Sequence, residues 1–143
     1  MIVSDGTILE LIQNGAMSIN PFDPAKLTPN GYDFSITERV VIEPNHGAQV
    51  ETVEAVSLPG FMGSMMFLRS SYARRGVVAS FGFVDAGFNG KIRFYLKNLG
   101  EETVDVVKEK GVFQMIFLNM DKEAVKTYEK RSGHYQNQGL KFK

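Results

Sequence analysis

Hydrophobic positions along the chain fall into one helical stretch followed by a series of short extended runs. Ile8, Leu9, Leu11 and Ile12 recur at the spacing of a single helix face, Ser4 or Asp5 can cap its start, and Asn14-Gly15 can close it. This pattern predicts a short N-terminal helix that packs as a lid. Turn formers then crowd Asn20-Pro21-Phe22-Asp23-Pro24 and Thr28-Pro29-Asn30-Gly31, which predicts an irregular connection. From Tyr32 onward, β-branched and aromatic residues come in short runs broken by Gly, Pro and Asn. Strands are predicted over roughly 32–43, 48–58, 61–68, 76–84, 91–97, 102–107 and 112–119. Asp121 to Lys130 could form a helical turn, and 131–143 reads as a polar, mobile tail. Many short strands with one helix imply an all-β sandwich, barrel or jelly roll built as a single domain, 1–143.

Composition narrows the chemistry. With 143 residues, 43% of them hydrophobic, the chain can build one core. Sixteen basic and sixteen acidic residues cancel, so no global field favours a nucleic-acid track, while a small anionic ligand stays open. The absence of cysteine excludes disulfides, thiolate metal sites and a cysteine nucleophile. His46 and His134 are far apart, with no HxxxH pair and no nearby Ser/His/Asp series, so carboxylates, hydroxyls or backbone must carry any reaction. Residues 1–15 have neither a basic leader nor a long apolar run, from which a cytoplasmic protein without a membrane anchor is expected.

Four segments could carry chemistry. Leu68-Arg69-Ser70-Ser71-Tyr72-Ala73-Arg74-Arg75-Gly76 joins three cations and two hydroxyls, a mixture that can grip phosphate oxygens; taken alone, a basic surface turn is the plainer reading. Phe81 to Gly90 sets Asp85 among apolar residues and three glycines. A carboxylate so placed could be held there to activate water, or could simply fix a tight turn through its own backbone. Gln114 is the lone amide in the apolar run Gly111–Phe117, where an outward-facing glutamine is the simple account. Ser132-Gly133-His134-Tyr135-Gln136-Asn137-Gln138-Gly139 could close over a ligand, although a disordered end is the commoner fate of such a segment.

Taken in order, these pieces resemble the motif series of the dUTPase and dCTP-deaminase superfamily over nearly the whole chain. Asn30-Gly31-Tyr32-Asp33-Phe34 is similar to the first motif and Arg69 to Gly76 to the second. Gly82-Phe83-Val84-Asp85-Ala86-Gly87-Phe88-Asn89-Gly90 is similar to the third, Gly111 to Phe117 to the fourth, and Gly133 to Gly139 to the C-terminal phosphate-covering tail. The resemblance implies a dUTPase-like β-clip barrel and a homotrimer with shared sites. It implies Asp85 as the water-activating base and Phe88 as the ring beneath a deoxyribose. Arg69, Ser70, Ser71 and Arg74 would then hold phosphates, Ser80 and the hairpin backbone would read the base, and Gln114, Tyr128, His134 and Gln138 would complete the site. Mg²⁺ would arrive on the triphosphate, without a protein cage of its own.

Two departures bear on the reaction. Deaminase-type members carry a proton-shuttling glutamate where this chain has Tyr95, a phenol with an ordinary pKa of about 10 and a poor base at neutral pH. Phe81 stands where the family usually has a small residue near the base pocket, and could narrow that pocket, alter its preference or close it. The resemblance therefore implies dUTP diphosphatase activity first. dCTP deamination, alone or combined with that hydrolysis, and a non-catalytic nucleotide-binding regulator stand as alternatives.

Overall fold

Strand β5 (Gly47–Ser57) shows how the core is assembled: Val50, Thr52, Glu54 and Val56 point inward in strict alternation. Strand β8 (Asn89–Asn98) repeats the period with Gly90, Ile92, Phe94, Leu96 and Asn98. The two pair antiparallel at the centre of a sheet ordered β1-β5-β8-β7, where β1 is Ser18–Asn20 and β7 is Val77–Ala79. A second antiparallel sheet runs β2-β3-β10-β6, with β2 Leu27–Thr28, β3 Gly31–Phe34, β6 Met62–Leu68 and β10 Phe113–Asn119. A small pair, β4 (Val40–Ile42) with β9 (Val104–Val106), completes the set. This computed structural model describes residues 1–107 and 110–140. None of its helices is long and apolar enough to cross a membrane.

Aromatic side chains fill the space between the sheets. Phe34 and Phe113 stack at 5.2 Å within one sheet, and Phe113 meets Phe94 of the other edge-on at 5.2 Å. Phe81 packs against Phe94 and Phe113 at 5.0 and 5.3 Å. Helix α1 (Asp5–Gln13) starts at Ser4, whose hydroxyl accepts the Thr7 N–H, and sinks Ile8 into the core. Burial raises the Tyr32 phenol above its ordinary value; it stays protonated and its oxygen accepts the Asp23 N–H at 2.9 Å.

A bulge interrupts β5 between Glu51 and Ala55. There the Thr52 hydroxyl donates to the Glu54 carbonyl at 2.7 Å and accepts the Ile92 N–H at 2.9 Å, so the freed ladder groups are satisfied. Glu54, 1% exposed, accepts both the N–H and the hydroxyl of Ser35, and Lys26 Nζ lies 3.6 Å away.

The observed elements depart from expectation in several places. The predicted strand 32–43 is two strands, because after Phe34 the chain leaves β10 and crosses to β5 through Thr37 N–H to Glu51 O and an Ile36–Thr52 bridge. The predicted strand 76–84 shortens to Val77–Ala79, and Val84 instead bridges Ser64. The turn-rich segment holds β1, a 3-10 turn (Pro24–Lys26) and β2, formed because each strand finds a partner at a sheet edge. Ser70–Ala73 is one helical turn, α2, and in 121–130 the only helical piece is the 3-10 turn Tyr128–Lys130.

Candidate functional site

A cavity of about 580 Å³ opens beside the start of β8, between the connection 82–85 and residues 128–138. Asp85 is its sole carboxylate and Arg93 its sole permanently charged cation among the described residues. Asp85 is exposed, since the turn directs it outward while Val84 and Ala86 on either side go in. The turn closes through the Phe88 N–H to the Asp85 carbonyl at 3.1 Å, with Gly87 at φ 88°, a conformation glycine adopts without strain. Phe88, 6% exposed, forms part of the cavity wall and meets the Tyr128 ring edge-on at 5.6 Å.

The tail supplies the facing wall. The Tyr128 hydroxyl accepts the Tyr135 N–H at 2.8 Å, and the His134 ring stands edge-on to Tyr135 at 4.6 Å. Gln138 docks along β8: Lys91 N–H donates to its carbonyl at 2.7 Å, and its side-chain amide donates to the Lys91 carbonyl at 2.9 Å. Gln136 and Asn137 add bonds to Gly87 and Asn89. A bare Gly90 (φ 152°) is needed for this approach, because a Cβ there would sit 2.8 Å from Gln138 N. Gly90→Ala is therefore expected to lift the tail, read as faster amide exchange at 136–138 and earlier proteolytic nicking, with the core unchanged.

Of the residues predicted for the site, the structure brings Asp85, Phe88, Tyr128, His134 and Gln138 to this cavity. It leaves Arg69, Ser70, Ser71, Arg74, Ser80 and Gln114 outside it. Arg69 pairs with Asp33 and precedes Ser70 and Ser71, the exposed first residues of α2; Arg74 is exposed at the end of that turn. Gln114, half-buried, accepts a hydrogen bond from the Thr28 hydroxyl, so it braces β2 against β10. Ser80 is tied to the edge of β8, its hydroxyl accepting the Tyr95 N–H at 3.1 Å. Phe81 does not line the cavity, contrary to expectation, because its ring is taken up by Phe94 and Phe113. Tyr95 also stays outside it, on the outer face of β8 opposite Gln49. Gln49, Met66, Ile92, Arg93 and Tyr135 line the cavity without having been predicted. For Arg93 a signal existed: a charged residue alternating between Ile92 and Phe94 faces away from the core.

The dUTPase family model matches residues 19–141. This chain belongs to the dUTPase and dCTP-deaminase superfamily. Relatives of the superfamily include the dCTP deaminase of Pyrococcus horikoshii, 32% identical over 133 residues that cover 82% of this chain and 83% of the relative. Another is the dUMP-forming dCTP deaminase of Aquifex aeolicus, 26% identical across 96% of this chain and 91% of the relative. In fold, the chain is similar to the Agrobacterium tumefaciens 2'-deoxycytidine 5'-triphosphate deaminase, with TM-score 0.69 and 16% identity. The match covers 81% of this chain and 47% of that one. It is also similar to the dUTPase from phage phi11 of S. aureus, TM-score 0.60 and 19% identity, covering 77% and 94%; that structure concerns a structural Mg(II) ion. The β class with a short N-terminal helix and the superfamily resemblance read from the motifs both stand. In this superfamily member, no three His, Cys, Asp or Glu side chains cluster closely enough among the described residues to hold a metal.

Proposed function

We propose that the protein hydrolyses a pyrimidine deoxynucleoside triphosphate, dUTP first, to the monophosphate and pyrophosphate. The carrying observation is that Asp85 lines the cavity beside Phe88, while the position that the resemblance gives to a proton-shuttling glutamate holds Tyr95, which lies outside the cavity. Water held by Asp85 attacks the α-phosphorus, the bond to the β-phosphate oxygen breaks, pyrophosphate leaves, and the water's proton passes to Asp85 and then to solvent. Phe88 supports the sugar, and its ring would exclude a 2'-hydroxyl. Tyr128, His134 and Gln138 close the cavity against bulk water. Mg²⁺ would be carried by phosphate oxygens and waters, where it would neutralise phosphate charge.

The phosphate-binding candidates Arg69, Ser70, Ser71 and Arg74 lie outside this cavity, so the reading also requires subunits to share sites, in a homotrimer. Arg69→Ala and Asp85→Asn, each inactive by itself, are expected to recover activity when their subunits are mixed and allowed to exchange. No recovery in exchanged oligomers would mean that Arg69 and Asp85 of one site do not come from different subunits, and would overturn the shared-site reading.

dCTP deamination is the second reading, supported by the 32% identity to the Pyrococcus horikoshii deaminase. Incubation with dUTP and dCTP plus Mg²⁺ separates the readings: pyrophosphate from dUTP supports the first, and ammonia from dCTP the second. Nucleotide binding without either product would mark a non-catalytic regulator.

A further inference from the structure

Arg93 lies directly opposite Glu51 in the β5–β8 ladder, the last paired position before the bulge. Its Nε donates to Glu51 Oε2, and its terminal Nη groups make no hydrogen bond to the described residues. Arg39 differs: it grips Asp105 through both Nε and Nη2. Arg93 therefore keeps its charge neutralised and its terminal donors free at the wall of the Asp85 cavity. The tail fixes the arrangement from above. Gly139 lies so close that a Cβ there would stand 3.2 Å from Glu51 Cδ and 2.9 Å from Lys91 Cδ.

We propose that Arg93 selects the pyrimidine base, its free N–H groups donating to a carbonyl at the 4-position and thereby favouring uracil over cytosine. This rests on the nucleotide reading above and deepens it. A guanidinium has only donors: it pairs with the 4-oxo group of uracil and leaves the 4-amino group of cytosine facing another donor. A phosphate is the poorer ligand here, because the Arg93 charge is already paired with Glu51, outside the cavity lining, and a phosphate would enter a cavity that also holds the Asp85 carboxylate. Arg93 lies five positions after Phe88, roughly 16 Å of extended backbone, and both line the cavity, so a sugar on Phe88 leaves its base within reach of an arginine side chain.

The test uses the products dUMP and dCMP, which do not react, with binding measured by calorimetry on the full chain. Wild type is expected to prefer dUMP by roughly 10- to 100-fold, the worth of one hydrogen bond to a charged donor. Arg93→Gln, whose amide can donate or accept, should bring the ratio to within about 3-fold. Glu51→Gln frees Arg93 without removing its donors and should keep the preference. Arg93 is 51% exposed, so both variants are expected to fold, checked by melting. Equal loss of both nucleotides in Arg93→Gln, as for a phosphate contact, overturns the proposal, and so does an equal ratio change in the two variants, as for a structural ion pair. Equal binding of dUMP and dCMP by wild type overturns it while leaving the nucleotide reading intact; binding of neither overturns both.

Discussion

Asp85→Asn is expected to slow pyrophosphate release from dUTP by about 10²- to 10⁴-fold, the range over which one positioned general base contributes. Nucleotide affinity should change little. The amide copies the carboxylate in size but cannot take a proton from water, so the loss falls on the chemical step. The background is clean, because the Asp85 side chain makes no hydrogen bond or ion pair to the described residues, and its exposed position leaves the turn free to form from backbone alone. Single-turnover pyrophosphate release, set beside calorimetric dUTP binding, is the measurement. Unchanged turnover would end the mechanism, and lost binding with lost turnover would recast Asp85 as a ligand.

The largest stability effect is expected at Glu54. Truncation to alanine removes a carboxylate that is 1% exposed, leaves the Ser35 N–H and hydroxyl without their acceptor, and takes the counter-charge from Lys26, which keeps its bond to the Ser35 hydroxyl. Breaking such a buried polar cluster costs about 3–5 kcal/mol. The urea midpoint should fall with the slope unchanged, since the same surface is exposed on unfolding. Glu54→Gln keeps one accepting oxygen and should lose less. Ser35 follows Phe34, next to the Asp33 that holds Arg69, so the damage reaches the segment placing the phosphate-binding candidates. Equal midpoints for wild type and Glu54→Ala would show that this cluster carries no net stability.

Where alternation ran long, the fold was legible. Strands β5, β6, β8 and β10 fall within about two residues of the limits their hydrophobic period suggests, and Ser4 starts α1 as its type predicts. Where the chain changes partners, the pattern gives no warning. After Phe34 the chain bridges to the other sheet at Ile36 and bends at Thr37-Glu38, and Ser18–Asn20 is a strand only because Ala55–Ser57 lies beside it. The site divides the same way. Motif order singled out Asp85, Phe88, His134 and Gln138, which line the cavity, but no local pattern shows that Arg69 and its neighbours belong to another part of the surface. Phe81 was misread because its importance lay in three-dimensional aromatic packing.

Residues 136–138 are anchored to strand β8 through peptide groups and through side-chain amides that reach peptide groups and the Asn89 side chain. Such an anchorage reads no subunit-specific surface, so the same segment of a neighbouring copy would satisfy the groove equally well. Trading tails between copies would then cost only the reach of the linking chain, and the closed form would become a property of the assembly.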